Sequence, residues 1–245
     1  MKSKLTLLIA ICLWAVCAGQ SGAVEAAETA TSIKADTIEY NTKTGMTVAT
    51  GNVRIEQDGN VITAPQAEYN TKSKSGQATG GVIMTRSDGN STSDRLILHD
   101  EDHLTVLGNA VVVQADKTLR APQIEYYKTR GYAETVGGWS ELTMTDGSSL
   151  TATRLTYDEG TEMITANGNV RIKSIPNNLV GSSDQATYNT GAGGVIELIG
   201  NATATQNGNT ISGAKLRITG DGNTAQADGN VVLVYVPETK SAEPA

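Results

Sequence analysis

Phenylalanine is absent from the 245 residues, and tryptophan occurs twice, at Trp14 and Trp139. The two cysteines, Cys12 and Cys17, both fall near the N-terminus. The chain beyond them can form no disulfide and no thiolate metal site, so its stability must come from burial and strand pairing. Histidine is scarce as well, with His99 and His103 the only two. Outside the N-terminal segment no window longer than a few residues carries the 3.6-residue apolar period of a helix. A Gly-rich phosphate loop needs a helix behind it, so no nucleotide site is expected. The net charge is −7, and no Lys/Arg stripe with interleaved aromatics occurs. Nucleic acid is therefore not an expected partner.

The N-terminus reads as a targeting segment. Lys2 and Lys4 precede an apolar run over residues 5–17, about the length of a signal h-region and short for a membrane span. Val16-Cys17-Ala18, Ser21-Gly22-Ala23 and Val24-Glu25-Ala26 each fit a cleavage site, which predicts a signal peptide within 1–26, cut between 18 and 26. An uncleaved anchor is the alternative; lipidation at Cys17 is disfavoured by the bulk of Val16 before it. Residues 237–245 carry no apolar pattern and are predicted to be disordered. The folded domain is then expected over 33–236.

What the chain does have is a repeated string, Gly-Asn followed by an apolar residue. It stands at Gly51-Asn52-Val53, Gly108-Asn109-Ala110, Gly168-Asn169-Val170, Gly200-Asn201-Ala202 and Gly229-Asn230-Val231. Degenerate copies fill the gaps at Gly80-Gly81-Val82 and Gly137-Gly138-Trp139. The period is about 29 residues, in the range of repeat architectures. A second string precedes each copy, as in Ile33-Lys34-Ala35 to Ile38-Glu39-Tyr40, Ile62-Thr63-Ala64 to Tyr69, and Leu119 to Tyr126. Around Gly51 and Gly168, apolar and polar residues alternate strictly, the mark of a strand with one buried face. Turn chemistry lies between the strings: Tyr40-Asn41, Tyr69-Asn70, Tyr157-Asp158 and Tyr188-Asn189 on one side, Asp58-Gly59-Asn60, Asp146-Gly147 and Asn207-Gly208 on the other. Each repeat is thus predicted to be strand a, turn, strand b, turn. Seven repeats make about fourteen to sixteen antiparallel strands in sequential order.

Every strand also carries an irregularity near its middle. In strand a the apolar parity slips at Asp36-Thr37, Pro65-Gln66 and Pro122-Gln123; in strand b the Gly occupies the matching place. Proline and glycine inside strands mark bulges and bends. A sheet creased along its middle folds over itself into a trough with the apolar parity inside. With no Phe and one Trp beyond the signal, side chains could leave that trough underfilled, a candidate site for an apolar chain; a closed core is the equal alternative. The candidate lining is Ile38, Tyr40, Val53, Ile55, Tyr69, Val82, Met84, Val112, Ile124, Tyr126, Trp139, Leu155, Tyr157, Val170 and Ile172. The two end strands, with Ile33 and Ile38 at one edge and Val232, Val234 and Val236 at the other, are candidate partner edges.

Catalytic chemistry finds little support. His99 and His103 flank Asp100-Glu101-Asp102, a string that turn formation explains without a metal, because turns favour acidic residues. The Asp-Gly-Asn strings lack the nine-residue period of Ca²⁺-binding rolls. No enzyme activity, cofactor or metal is expected.

The units Ala49-Thr50-Gly51-Asn52-Val53-Arg54-Ile55 and Ala166-Asn167-Gly168-Asn169-Val170-Arg171-Ile172, each behind an a string, resemble the OstA-like repeats of the LptA family of periplasmic lipopolysaccharide-transport proteins. The resemblance covers roughly 33–236. It implies an all-β twisted jelly-roll that is open at both ends and holds the acyl chains of lipid A. It also implies a periplasmic carrier of lipopolysaccharide from inner to outer membrane. The implied partners are lipopolysaccharide, LptC-like inner-membrane and LptD-like outer-membrane proteins, and further copies joined head to tail. An uncleaved signal would instead imply the anchored, LptC-like member of the pathway. The rival from another class is a structural or adhesive β-repeat protein of the cell surface, which the paired hairpin turns disfavour.

Overall fold

The computed structural model describes residues 31–57, 59–87, 89–189, 194–219 and 222–236. The predicted signal peptide and C-terminal tail lie outside the described residues. Regular structure among those residues is entirely β. β1 (Ser32–Lys34) and β2 (Thr37–Asn41) are halves of the first a strand, and β3 (Met46–Gln57) is its b partner. β4 (Asn60–Asn70), β5 (Ser75–Thr85), β6 (Gly89–Leu98), β7 (His103–Gln114) and β8 (Lys117–Tyr127) follow unbroken. β9 (Tyr132–Val136) with β10 (Ser140–Met144), and β11 (Ser149–Ala152) with β12 (Arg154–Asp158), are again halves of single strands. β13 (Met163–Ser174), β14 (Leu179–Asn189), β15 (Ile196–Gln206) and β16 (Asn209–Ile218) are unbroken, and β17 (Ala225–Asp228) with β18 (Val232–Val234) ends the series. The eighteen segments therefore amount to fourteen long strands, each antiparallel to its neighbours in sequence.

The turns explain why the strands end where they do. At the end of strand a, the side chain of Asn41 accepts the N–H groups of Lys43 and Thr44, both at 3.0 Å. Asn70 and Asp100 do the same for the residues that follow them, and Asp158 accepts the N–H and the hydroxyl of Thr161. These are Asx turns, in which a short polar side chain replaces a strand ladder bond and reverses the chain. At the opposite end Asn207-Gly208, with φ of 50° and 84°, has the two left-handed residues of a type I′ hairpin.

The crease is built by backbone, in the same way in each of the five Gly-Asn copies. Between Thr50 and Val53 the b strand holds two residues, Gly51 and Asn52, against one on β4, Pro65. Gly51 and Asn52 both have positive φ, 77° and 47°. A Cβ on Gly51 would lie closer than 3.0 Å to the Asp36 side chain of its own hairpin. Glycine is thus required there by conformation and by space. Asp36 donates its N–H to the Gly51 carbonyl at 2.8 Å, and Asn52 Nδ2 donates to Asp36 Oδ2 at 2.9 Å. Asn109 with Asp94 and Asn201 with Asp184 repeat the side-chain bond.

The degenerate copies have a physical cause. Where strand a carries Pro65 or Pro122 at the crease, it has no N–H to donate. The b partners at those two rungs are Gly80-Gly81 and Gly137-Gly138. A Cβ on Gly80 or Gly137 would meet the proline rings at 3.0 and 3.2 Å. Gly81 and Gly138 take φ of 95° and 126°, beyond the 47–52° that Asn adopts in the other five copies. Only glycine reaches that region without strain.

Cross-strand registers line up two apolar rows on the interior face. One half-sheet carries Tyr40, Thr47, Tyr69, Gly76, Leu98, Leu104, Tyr126, Ala133, Tyr157, Ile164, Tyr188 and Ile196 in succession. The other carries Ile33, Ile55, Ile62, Met84, Ser91, Val112, Leu119, Leu142, Leu150 and Ile172. Nearer the crease the residues are small or fully packed: Ala49, Val53, Ala64, Ala110, Ala166 and Val170 are all buried. The core therefore lies along the fold line, and the two rows flank it on either side.

Candidate functional site

The two half-sheets close on each other unevenly. Between β3 and β8 they stand apart over adjoining cavities of about 290 and 180 Å³. Ile55, Ile62 and Met84 wall one side, and Tyr69, Leu98, Leu104 and Tyr126 the other. Between β10 and β15 the gap shrinks to about 50 Å³, with Leu142, Leu150 and Ile172 facing Ile164, Tyr188 and Ile196. The walls are aliphatic or tyrosine, and the mouth is charged. Lys74, Glu101, Asp102 and Lys128 stand at the opening of the larger cavity, Lys74 Nζ paired with Glu101 Oε1 at 2.6 Å. An apolar slot with a charged lip suits an amphiphile whose chains enter and whose head stays wet.

The predicted lining residues fall into three groups. Ile55, Tyr69, Met84, Tyr126 and Ile172 border the cavities. Val53, Val82, Ile124, Leu155 and Val170 are fully packed into the core, and Val112 and Tyr157 are buried on the same face. Ile38 and Tyr40 stand across from Ala49 and Thr47 on the interior face, but on the end strand, with no further strand among the described residues to cover them. Trp139 is a correction: it is 58% exposed and points away from the interior. Its repeat holds one residue more at the crease. Four residues, 137–140, separate Val136 and Glu141, whose partners Gln123 and Arg120 are three positions apart. In β5 three residues, 80–82, lie between Thr79 and Ile83, whose partners Gln66 and Thr63 are likewise three positions apart. The added length swings Trp139 out, and Ser140 takes the buried place.

Sequence reasoning missed Ile62, Leu96, Leu98 and Leu104 as lining, although all four border the larger cavity. The signal was present, because Ile62, Leu96 and Leu98 sit at apolar positions of the a strings. Tyr188, at the narrow end, is buried, and burial pushes its phenol up to about 12.

Both end strands are open. Among the described residues β1 and β2 pair only with β3, and β17 and β18 only with β16. Val232, Leu233, Val234, Tyr235 and Val236 are all more than half exposed, on both faces of the strand. Ile33 packs partly against the core, and Ile38 is exposed.

The acidic turn between β6 and β7 has a structural task. Asp100 Oδ1 accepts the N–H groups of Asp102 and His103 at 2.8 Å, and these bonds hold its carboxyl below the usual carboxylate range. Asp102 binds Thr129 and is lowered for the same reason. No helix among the described residues is long and apolar enough to cross a membrane.

The family model described as LptA/(LptD N-terminal domain) LPS transport protein matches residues 32–132 and 158–224, more than half of the chain. The chain belongs to this family. The unmatched stretch, 133–157, holds the two interrupted strands β9/β10 and β11/β12 and the lengthened crease at Trp139. No curated protein matches the chain. Among solved structures it is similar to LptH from Pseudomonas aeruginosa, the LptA-homologous periplasmic component of the conserved lipopolysaccharide transport device. The identity is 12%, over 86% of this chain and 97% of that one, and the TM-score is 0.17. Membership of the LptA/LptD N-terminal family thus rests on the sequence match, and the all-β jelly-roll of creased strands is the fold expected for it.

Proposed function

We propose that this member of the LptA/LptD N-terminal family is a periplasmic carrier that binds lipopolysaccharide by its acyl chains. It is not a catalyst. The chains lie along the slot between the two rows, and the sugars and phosphates remain at the charged lip. The observation that carries the reading is the gap between β3 and β8. A closed core would bring Ile62 and Met84 against Leu98 and Leu104; here a cavity of about 290 Å³ lies between them. Each methylene withdrawn from water contributes about 0.8 kcal/mol. A chain of about ten methylenes therefore contributes roughly 8 kcal/mol before the cost of ordering it.

The open edges support a second part of the reading. Strand pairing between β17/β18 of one copy and β1/β2 of the next continues both interior rows, with Leu233 leading on to Ile33. Copies joined head to tail in this way form one slot between LptC-like and LptD-like partners at the two membranes. This chain supplies the path, and the partners supply the energy.

Native mass spectrometry of the untagged mature protein with extracted lipopolysaccharide tests both parts. Retained lipid at defined stoichiometry, together with a ladder of oligomers, is the expected result. A monomer that retains no lipid at any concentration would mean the slot is a closed core in solution.

A further inference from the structure

The chain has two histidines, and the fold brings both to one place on the outer face of the sheet. His99 follows β6 and His103 opens β7, and their rings stack at 4.2 Å and 15°. His103 also stacks on Tyr127 of β8 at 4.4 Å. Beneath them lies Glu125, a carboxylate 9% exposed. Glu125 Oε2 faces His103 Nε2 at 2.6 Å and accepts the Thr105 hydroxyl at 2.6 Å, while Oε1 accepts from Gln123. Thr105 Oγ1 lies 2.8 Å from His99 Nε2. Because the Thr105 proton is spent on Glu125, His99 must donate to Thr105. Both Nε2 atoms therefore aim at one buried carboxylate, His103 directly and His99 through Thr105.

The acidic residues next to the histidines in sequence are not part of this convergence. Asp100 and Asp102 are turned to backbone N–H groups, and Glu101 pairs with Lys74. The third donor comes from the neighbouring strand. His99, His103 and Glu125 each offer a ligand atom, and those atoms lie within 4.8 Å of one another.

We infer that His99, His103 and Glu125 form a site for a borderline divalent transition ion such as Zn²⁺. Two imidazole nitrogens and one carboxylate oxygen select ions of this class over Mg²⁺ and Ca²⁺, which prefer all-oxygen shells. Tetrahedral donors about 2.0–2.2 Å from an ion stand roughly 3.4 Å apart, so the widest pair here, within 4.8 Å, must draw in by up to about 1.4 Å. The ring proton of each neutral histidine moves from Nε2 to Nδ1, and the ion takes the vacated position. The stacked rings fan apart to let both nitrogens point at it. Thr105 and Gln123 stay bonded to Glu125 and hold it in place, the usual arrangement around a ligating carboxylate. A bound ion ties the β6–β7 turn to β8 beside the mouth of the larger cavity.

The test uses the untagged mature protein and Zn²⁺ alone, by isothermal titration calorimetry. One ion per chain is expected. H99A, H103A and E125Q should each weaken binding at least tenfold, with circular dichroism unchanged. E101A, which alters the exposed acid of the same turn, should leave the affinity unchanged, and Ca²⁺ should produce no heat. Histidine ¹⁵N chemical shifts should report Nε2 ligation in both rings. Wild-type affinity in the H99A/H103A double variant, or loss of binding in E101A but not E125Q, would overturn the assignment. So would equal binding of Ca²⁺.

Discussion

Ile62 offers the sharpest test of the slot. It is half-buried, stands between Ile55 and Met84 in its row, and borders both cavities of the wider half. In Ile62→Glu the new carboxylate can reach water through the open mouth while the slot is empty. The folded state should therefore lose no more than about 1–2 kcal/mol, within the usual range for a single substitution. With an acyl chain in place the carboxylate is shut off from water, at a cost of several kcal/mol. The acyl chain also forgoes the apolar surface that Ile62 offered it, a further penalty of about 1.5–3 kcal/mol. Each 1.4 kcal/mol is tenfold in affinity, so lipid should bind at least ~100-fold more weakly. Ile62→Ala trims the wall without adding charge and should cost about tenfold. Thr63→Glu places the same charge one residue along, on the other face, and should change binding less than twofold. Displacement of a fluorescent acyl lipid measures all three, with thermal melts as fold controls. A folded Ile62→Glu protein that binds as tightly as wild type would show that the chains do not lie between these walls.

Other consequences follow from the crease, the edge and the narrow end. Gly51→Ala combines a left-handed φ, costing about 1–2 kcal/mol, with a clash against Asp36. Its melting temperature should fall by at least ~3 °C, and less in the Asp36→Ala background; equal losses in both would remove the steric part. Gly81→Asn should destabilise alone and be partly rescued by Pro65→Asp, with a coupling of about 1 kcal/mol; strict additivity in denaturant melts would contradict the account of the two rung types. Val234→Lys should abolish self-association in sedimentation analysis while leaving the monomer's melt intact, since charged residues block edge pairing; undiminished oligomers would mean the C-terminal edge is not the joint. Tyr188 ionises later in the folded than in the unfolded chain, so its raised pKa makes folding less favourable as pH rises from about 10 to about 12. Tyr188→Phe should flatten that part of the stability profile, and an unchanged slope would assign it to another group.

Much of the fold is written in short range. The turns at Asn41, Asn70 and Asp158 follow from one side chain and the donors of the next three residues, so the strings Tyr-Asn and Tyr-Asp locate them. The alternation around Gly51 and Gly168 locates the interior face in the same way. Trp139 is misplaced by the same logic, because parity counts residues and the crease before it is longer than in the other repeats. Whether Val53 lines a slot or fills a core is not a local property. It depends on how far the two half-sheets stand apart at that rung, which one strand's own pattern does not show. Glu125 illustrates the same limit: it is 22 residues from His103 in sequence and becomes its neighbour only through the pairing of β7 with β8.

The crease has one further consequence. Each bend is closed within its own hairpin, Gly51 against Asp36, Gly108 against Asp94 and Gly200 against Asp184, and borrows nothing from distant parts of the chain. Angle is therefore a property of one repeat, and length a property of their number. Bore and reach are independent variables in such a molecule: repeats can be gained or lost within a chain without resetting the cross-section.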